Sequence, residues 1–310
     1  MTDSRYISSF EELSFDDSGP SRDYSQLETA LNDLEDQALG SLGPAIEESR
    51  DRFLAYVAKS LGPDGPRDRA AWLERLDLKG WGPAQDAFGE MLRQGWEHGR
   101  RYARAVAPSI RTMATPTSFA PRASLEWLKS KQLYVSGVAK DDLLKRAKGL
   151  ILQALKTGES EDKTMEKLRA AWAPYVGSKV DPAAMVRLRT IVRTNTTEAL
   201  NEGIVTEARS PDMKGVVKAL VYVAVLDSRT TPICEMLHGT QIWPDDPRLD
   251  AIVPPNHFNC RSILDPVIDD DEYDPDALLS VAKYQAAVSL VQPGFGGDRA
   301  VNLSQLEALE

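Results

Sequence analysis

The chain has 310 residues, 42% of them hydrophobic, and carries a formal net charge of −10 at pH 7. That length accommodates two modest domains or one domain with long extensions. The acidic balance excludes an overall electrostatic grip on nucleic acid, which needs many Lys and Arg facing phosphates. No run of about 18 apolar residues is available to cross a bilayer, and Met1-Thr2-Asp3-Ser4-Arg5 leads into no apolar signal core. A chain made in a cytoplasm, with no membrane contact, is expected.

Residues 1–24 are rich in Ser, Asp and Glu, with aromatics at Tyr6, Phe10 and Phe15 and a break at Gly19-Pro20. Such a composition cannot bury enough surface to fold alone, so a disordered acidic tail is expected. Residues 25–107 read as an N-terminal helical region. Leu27, Leu31, Leu34 and Ala38 stand at helical spacing, and Ile46, Phe53, Val57 and Leu61 continue the pattern beyond Gly43-Pro44. Two helices separated by a break at that proline are expected. Gly62-Pro63-Asp64-Gly65-Pro66 is a strong turn signal. A second helical stretch follows from Trp72. Pro83 then suits the first turn of a helix carrying Phe88, Met91, Leu92 and Trp96, which runs on through His98 to Arg104.

A local basic stretch stands out in this acidic chain: Arg100, Arg101, Arg104, Arg111, Arg122, Lys129 and Lys131, with Glu126 as the single acidic residue among them. It reads either as a solvated helix face and loop, or as a contact for DNA or an acidic partner. Residues 108–121, rich in Pro, Ser and Thr and without periodicity, read as a linker.

Beyond the linker, Leu143, Leu144, Ala147, Leu150, Ile151 and Leu155 mark an amphipathic helix closed by Gly158 in the left-handed cap position. Ser160 is placed to cap the next helix, with core positions Met165, Leu168 and Trp172. Pro174 and Pro182 bracket a break, and a long helix follows from Ala183 to about Arg209, carrying Val186, Leu188, Ile191, Val192, Leu200 and Ile204. The pattern then changes. Val216 to Leu226 is apolar and β-branched with no polar stripe at helical spacing, so a buried strand is expected. A compact loop region rich in Pro, Asp, Cys and His follows, ending in the short apolar run Ile263-Leu264. Residues 266–310 read as an acidic C-terminal extension. The fold class is α+β, predominantly helical, with a small β-containing Cys/His module over residues 215–265.

The chain has two cysteines and three histidines, and four of these five residues fall between positions 234 and 260. The spacing is Cys234-x3-His238 and then His257-x2-Cys260. Thiolate sulfur and neutral imidazole suit zinc, and two short knuckles joined by a loop can close a tetrahedron. A loop-rich module with little core gains folding free energy from such an ion, so the zinc would be structural. Three other readings compete: a Cys234–Cys260 disulfide, which a reducing cytoplasm disfavours; a nucleophilic Cys234 with His257 as base, as in a nuclease or peptidase; and buried cysteines beside ordinarily hydrogen-bonded histidines. Asp227 and Arg229 follow directly on the expected strand, where the carboxylate is placed to accept backbone amides while the guanidinium pins the neighbouring loop.

Two runs carry a resemblance. Leu226-Asp227-Ser228-Arg229-Thr230-Thr231-Pro232-Ile233-Cys234-Glu235-Met236-Leu237-His238-Gly239 and Pro254-Pro255-Asn256-His257-Phe258-Asn259-Cys260-Arg261-Ser262 resemble the closing motif of the phage head morphogenesis family typified by phage Mu protein F. Upstream, Ile191 to Gly203 looks like that family's Arg-Thr helix, and Ala154 to Ser160 like the turn preceding it. The likeness spans roughly residues 121–265, so that 122–265 reads as a Mu F-like domain with helices over 122–210. Asp227, Arg229, Gly239 and Arg261 are its structural motif residues here. Many relatives have cysteines where this chain has Thr231 and Ser262, and an acidic residue where it has His238. The resemblance implies a minor head protein of a tailed bacteriophage, located in the virion near the portal vertex. Its implied partners are the portal protein and the major capsid or scaffold protein, with any contact to packaged DNA made through the basic stretch, and its implied role is in head assembly, packaging or ejection, without enzymatic activity.

Overall fold

The computed structural model describes residues 24–78, 80–107, 140–141, 143–157, 159–172, 182–268, 270, 272–293 and 295. The linker over 108–121, the Gly158 cap, most of the acidic tail, and Arg111, Arg122, Lys129 and Lys131 lie outside the described residues. The fold is mostly helical, with one small antiparallel sheet, as the periodicities predict. Among the described residues, no helix is long and apolar enough to cross a membrane.

Two compact units divide the chain, one of Asp36–Met91 and Glu126–Val192, the other of Met1–Glu35, Leu92–Leu125 and Arg193–Glu310. The first contains most of α1 (Tyr24–Leu61), α2 (Arg69–Glu74), α4 (143–157) and α5 (Glu161–Trp172). Pro44 does not break α1, contrary to expectation. A proline inside a helix costs about 3 kcal/mol through a lost hydrogen bond and a steric clash. Ala38, Leu42, Ile46, Phe53 and Val57 are all buried, so one apolar stripe crosses the proline. Each large side chain on that stripe contributes roughly 1.5–3 kcal/mol by burial, and a break would forfeit several of them. Trp172 is nearly fully buried at the centre of this unit, with ring centroids 6.0 Å from Phe53 and 6.3 Å from Trp81. Asp68 caps α2 by accepting from the Ala71 amide at 2.9 Å, and Ser160 accepts from Lys163 at the start of α5.

The second unit contains most of α3 (Gly82–Ala105) and α6 (Pro182–Ala208), and the sheet module. Central strand β1 (Ala219–Val223) pairs antiparallel with β2 (Gln241–Ile242) on one side and β3 (Ile263–Val267) on the other. The registers Leu220↔Ile242 and Tyr222↔Leu264 fix the two pairings. All five β1 residues are buried, which explains an apolar run without alternation. Pro266 sits on an edge strand, where a missing donor is tolerated. Short helices α7 (Pro232–Leu237) and α8 (Leu249–Ile252) fill the connections, and α9 (Val281–Leu290) adds Tyr284 and Ala287 to the module's core. Residues beyond 265, expected as an acidic extension, therefore also supply core.

Helices α3 and α6 approach backbone to backbone in this unit. A Cβ at Gly99 would overlap the Leu200 carbonyl, and one at Gly203 would overlap the Trp96 carbonyl. Beside this crossing, Glu207 is completely buried and takes Arg100 Nε at 2.8 Å and Arg104 Nε at 2.9 Å. Arg104 also reaches Asp212 at 3.0 Å, and the Arg100 guanidinium lies 4.9 Å from the centre of a Trp96 ring.

Candidate metal centre

The group is assembled from a six-residue helix and one loop. Pro232 opens α7, where its fixed φ suits the first turn and its missing N–H is no loss. One turn of helix then carries Cys234 inward, 3% exposed. Gly239 follows the helix with φ of +76°, a conformation that favours glycine, and its amide donates to the Tyr222 carbonyl at 2.8 Å. Tyr222 in β1 thereby holds the end of α7, and its hydroxyl lies 3.4 Å from Cys234 Sγ. The loop after α8 supplies His257 and the fully buried Cys260, turning at Asn259 with φ of 57°.

Cys234 Sγ is 3.1 Å from His257 Nε2 and 3.8 Å from Cys260 Sγ, and the three ligand atoms lie within 4.8 Å of one another. Both cysteines are free, and their separation is far beyond the roughly 2.05 Å of a disulfide. Two sulfurs bound at about 2.3 Å to one tetrahedral zinc would stand about 3.8 Å apart, so the sulfur pair fits an ion without rearrangement. On the same geometry a sulfur and an imidazole nitrogen would stand about 3.5 Å apart, and His257 sits a few tenths of an ångström closer than that. His257 Nδ1 donates to the Phe258 carbonyl at 2.8 Å. In the neutral ring this fixes the proton on Nδ1 and turns the Nε2 lone pair toward the sulfur, as a metal ligand requires.

The electrostatics are those of a shared negative charge. Cys234 is pushed down to about 3, first by its contact with the Cys260 thiol, against the opposing effect of burial, and further by His257, Ser262 and Thr231. Burial and the neighbouring Cys234 push Cys260 well above the ordinary thiol range. Burial opposes the His257 charge, but Cys234 and the Phe258 carbonyl outweigh it and raise its pKa. The Ser262 and Asn256 backbone amides donate toward the Cys260 sulfur, favouring its thiolate. One charge on the sulfur pair is favourable, and a second needs a cation.

His238 is not part of this group. It stands at the C-terminal end of α7, where its Nδ1 accepts the Ala224 amide at 3.1 Å and so ties that end to the residue after β1. Cys234, His257 and Cys260 of the four expected ligands are brought together. Asp227, Arg229 and Arg261 also meet. Arg261 grips Asp227 through both terminal nitrogens, at 2.9 and 2.6 Å, while Asp227 accepts the Arg229 amide at 2.8 Å. These contacts, Arg261 first, hold the Asp227 carboxyl below the usual carboxylate range.

Sequence reasoning missed the clamp that α6 places on the loop carrying His257 and Cys260. Thr197 donates to the Cys260 carbonyl at 3.1 Å, and the Asn259 amide donates to Thr194 at 3.1 Å. Asn201 is fully buried, donating to the Ser262 carbonyl at 3.2 Å and accepting the Leu264 amide at 2.8 Å. The available signal was the density of Thr and Asn between Thr194 and Asn201, residues that disfavour helix interiors and so need a tertiary reason to be there.

The basic stretch is corrected at two positions. Arg100 and Arg104 are buried at 5% and 4% exposure and committed to Glu207, so they present no surface to DNA, whereas Arg101 is exposed.

The described module is thus a small sheet with short helices, a metal-competent Cys/His group and an Asp–Arg staple, all tied to a polar helix face. Residues 145–264, which include the Cys/His group, the Asp–Arg staple and the α6 clamp and end inside β3, match the family model described as Phage Mu protein F like protein. The Mu-like prophage FluMu F protein of Haemophilus influenzae is similar to the chain, 30% identical over 148 residues. That alignment covers 44% of this chain and 35% of the relative, so the chain spans about a third of the relative's length. No solved structure matches. The two matches support a Mu protein F-like family for this segment.

Proposed function

We propose that the chain is a structural minor head protein of a tailed bacteriophage, placed in the virion near the portal vertex and acting in head assembly, DNA packaging or ejection. The observation that carries this reading is the Mu F-like match over residues 145–264, the segment that contains the clamped closing motif. The Cys/His group holds a structural zinc in this reading, and the partners are the portal protein and the major capsid or scaffold protein. DNA contact is confined to Arg101, Arg111, Arg122, Lys129 and Lys131. The chemistry of the site favours construction: His257 Nδ1 is oriented by a backbone carbonyl, and the loop carrying Cys260 is fixed by Thr194, Thr197 and Asn201. Binding of the full chain to purified procapsids and portal rings tests the proposal.

A second reading has one observation in its favour, the 3.1 Å approach of Cys234 Sγ to His257 Nε2, which is the geometry of a nucleophile and its base. Turnover on a nucleic acid or peptide, lost in Cys234→Ala with the fold retained, would favour that enzyme reading over the structural one.

A further inference from the structure

The metal group contains three protein donors, and its immediate surroundings are incompletely satisfied. Thr231 Oγ1 and Asn256 Oδ1 are buried with no hydrogen-bond partner. Both residues border the cluster. Thr231 precedes α7, three residues before Cys234, and its hydroxyl lies near enough to favour the Cys234 thiolate without forming a well-aligned hydrogen bond to it. Asn256 directs its backbone amide toward Cys260, and its side-chain nitrogen donates at 3.1 Å to the Tyr222 hydroxyl, which in turn touches Cys234. Buried polar atoms are rarely left unpaired, and an orphan in a native structure commonly marks a missing water or ion. His238 does not complete the set as the chain is folded: its Nδ1 accepts the Ala224 amide at 3.1 Å, which leaves the neutral ring's proton on Nε2 and no lone pair for a metal, and its nitrogens lie outside the Cys234, His257 and Cys260 group.

We infer that Cys234, His257 and Cys260 bind one Zn2+ through three protein ligands and leave its fourth position to an exogenous donor, with the Thr231 hydroxyl and the Asn256 amide oxygen beside it. In the isolated chain that donor is water, whose O–H groups supply the hydrogen bonds that Thr231 and Asn256 lack. Closed structural sites have four protein ligands, whereas two cysteines and one histidine with a water define the open kind. The open position accepts a small monodentate anion in place of water, so the site is one of ligand exchange as well as of folding. This rests on the zinc reading above and goes beyond it by excluding His238 and assigning the fourth position to an exogenous donor.

The test uses the full chain reconstituted with Co2+ in place of zinc, titrated with sodium azide and followed by its visible and near-ultraviolet spectrum. One Co2+ per chain is expected, with two-thiolate charge transfer and a d–d spectrum that shifts saturably with azide. His238→Ala should keep both the stoichiometry and the azide response. Thr231→Cys should raise the charge-transfer intensity by about half, from two thiolates to three, and abolish the azide response. A wild-type spectrum indifferent to azide overturns the open position. A tenfold or greater loss of metal affinity in His238→Ala overturns the three-ligand set while leaving the zinc reading in place. Failure of the wild-type chain to bind Zn2+ or Co2+ overturns both. The azide titration on the wild-type chain is decisive even where a variant fails to fold.

Discussion

Glu207 faces two guanidinium groups from inside the protein and is itself without exposed surface. Arg100 Nη2 and Arg104 Nη1 already lack partners, so the carboxylate is the main compensation for two buried cations. Removing one partner of such a set leaves uncompensated charge in a poorly solvated place, at a cost of about 3–5 kcal/mol. Glu207→Gln should therefore lower the free energy of unfolding by an amount of that order in denaturant titration, and an effect near zero would show the cluster to be hydrated. Asp227 makes the opposite case at the surface. Its pKa is lowered by Arg261 first and then by the Arg229 amide. A carboxylate depressed in the folded state contributes stability that is fully present above its unfolded pKa of about 3.9 and fades as pH falls through the lower folded value. Carbon-13 NMR should find Asp227 still ionised near pH 4, where ordinary carboxyls are half protonated, and Arg261→Ala should return its titration to the ordinary range. Neither pairing was fully legible in the sequence. The Asp227 and Arg229 proximity is local and was read from spacing, whereas Arg261 lies 34 positions away and Glu207 meets arginines over a hundred positions earlier.

At the scale of elements, the long helices and β1 were legible because each is long or strongly patterned. Leu188, Val192, Leu200 and Ile204 mark a buried face of α6, and the unbroken apolar run of β1 reflects burial on both sides. The partner strands were not. β2 is only two residues long, and β3 contains Asp265 and Pro266, which mask its periodicity; Asp265 is buried because Tyr102 donates to it at 2.9 Å. Pro44 misled for a different reason, since local propensity favours a break and tertiary burial overrides it. The crossing of α3 and α6 depends on two absent side chains. Gly99→Ala and Gly203→Ala each place a methyl group against a backbone carbonyl that cannot rotate away. Each should destabilise the protein by about 1–3 kcal/mol or more, as overpacking does, even though alanine favours helices. Thermal unfolding of the two variants checks this, and a rise in melting temperature for either would contradict the close approach.

For the whole molecule, charge argues against a general DNA-binding role, and the proposed place in the head calls for contact with other proteins. A net charge of −10 gives little general affinity for DNA, and the folded structure withdraws Arg100 and Arg104 from the one basic stretch. Charge reversal at those two positions would test folding, so a DNA-contact variant should alter Arg101 in their place. Recognition of the closing motif depended on residues that the fold brings together, Cys234 with His257 and Cys260, and Asp227 with Arg261. His238 shares their sequence neighbourhood without sharing their site, because sequence proximity alone does not say which side of a short helix end a ring takes. The most direct measurement of the central claim is co-sedimentation of the purified full chain with procapsids and with portal rings assembled from the genome that encodes it, over a range of salt concentrations. The account predicts saturable association with head components that persists in Arg101→Glu; failure of the wild-type chain to associate with either at any salt concentration would contradict it.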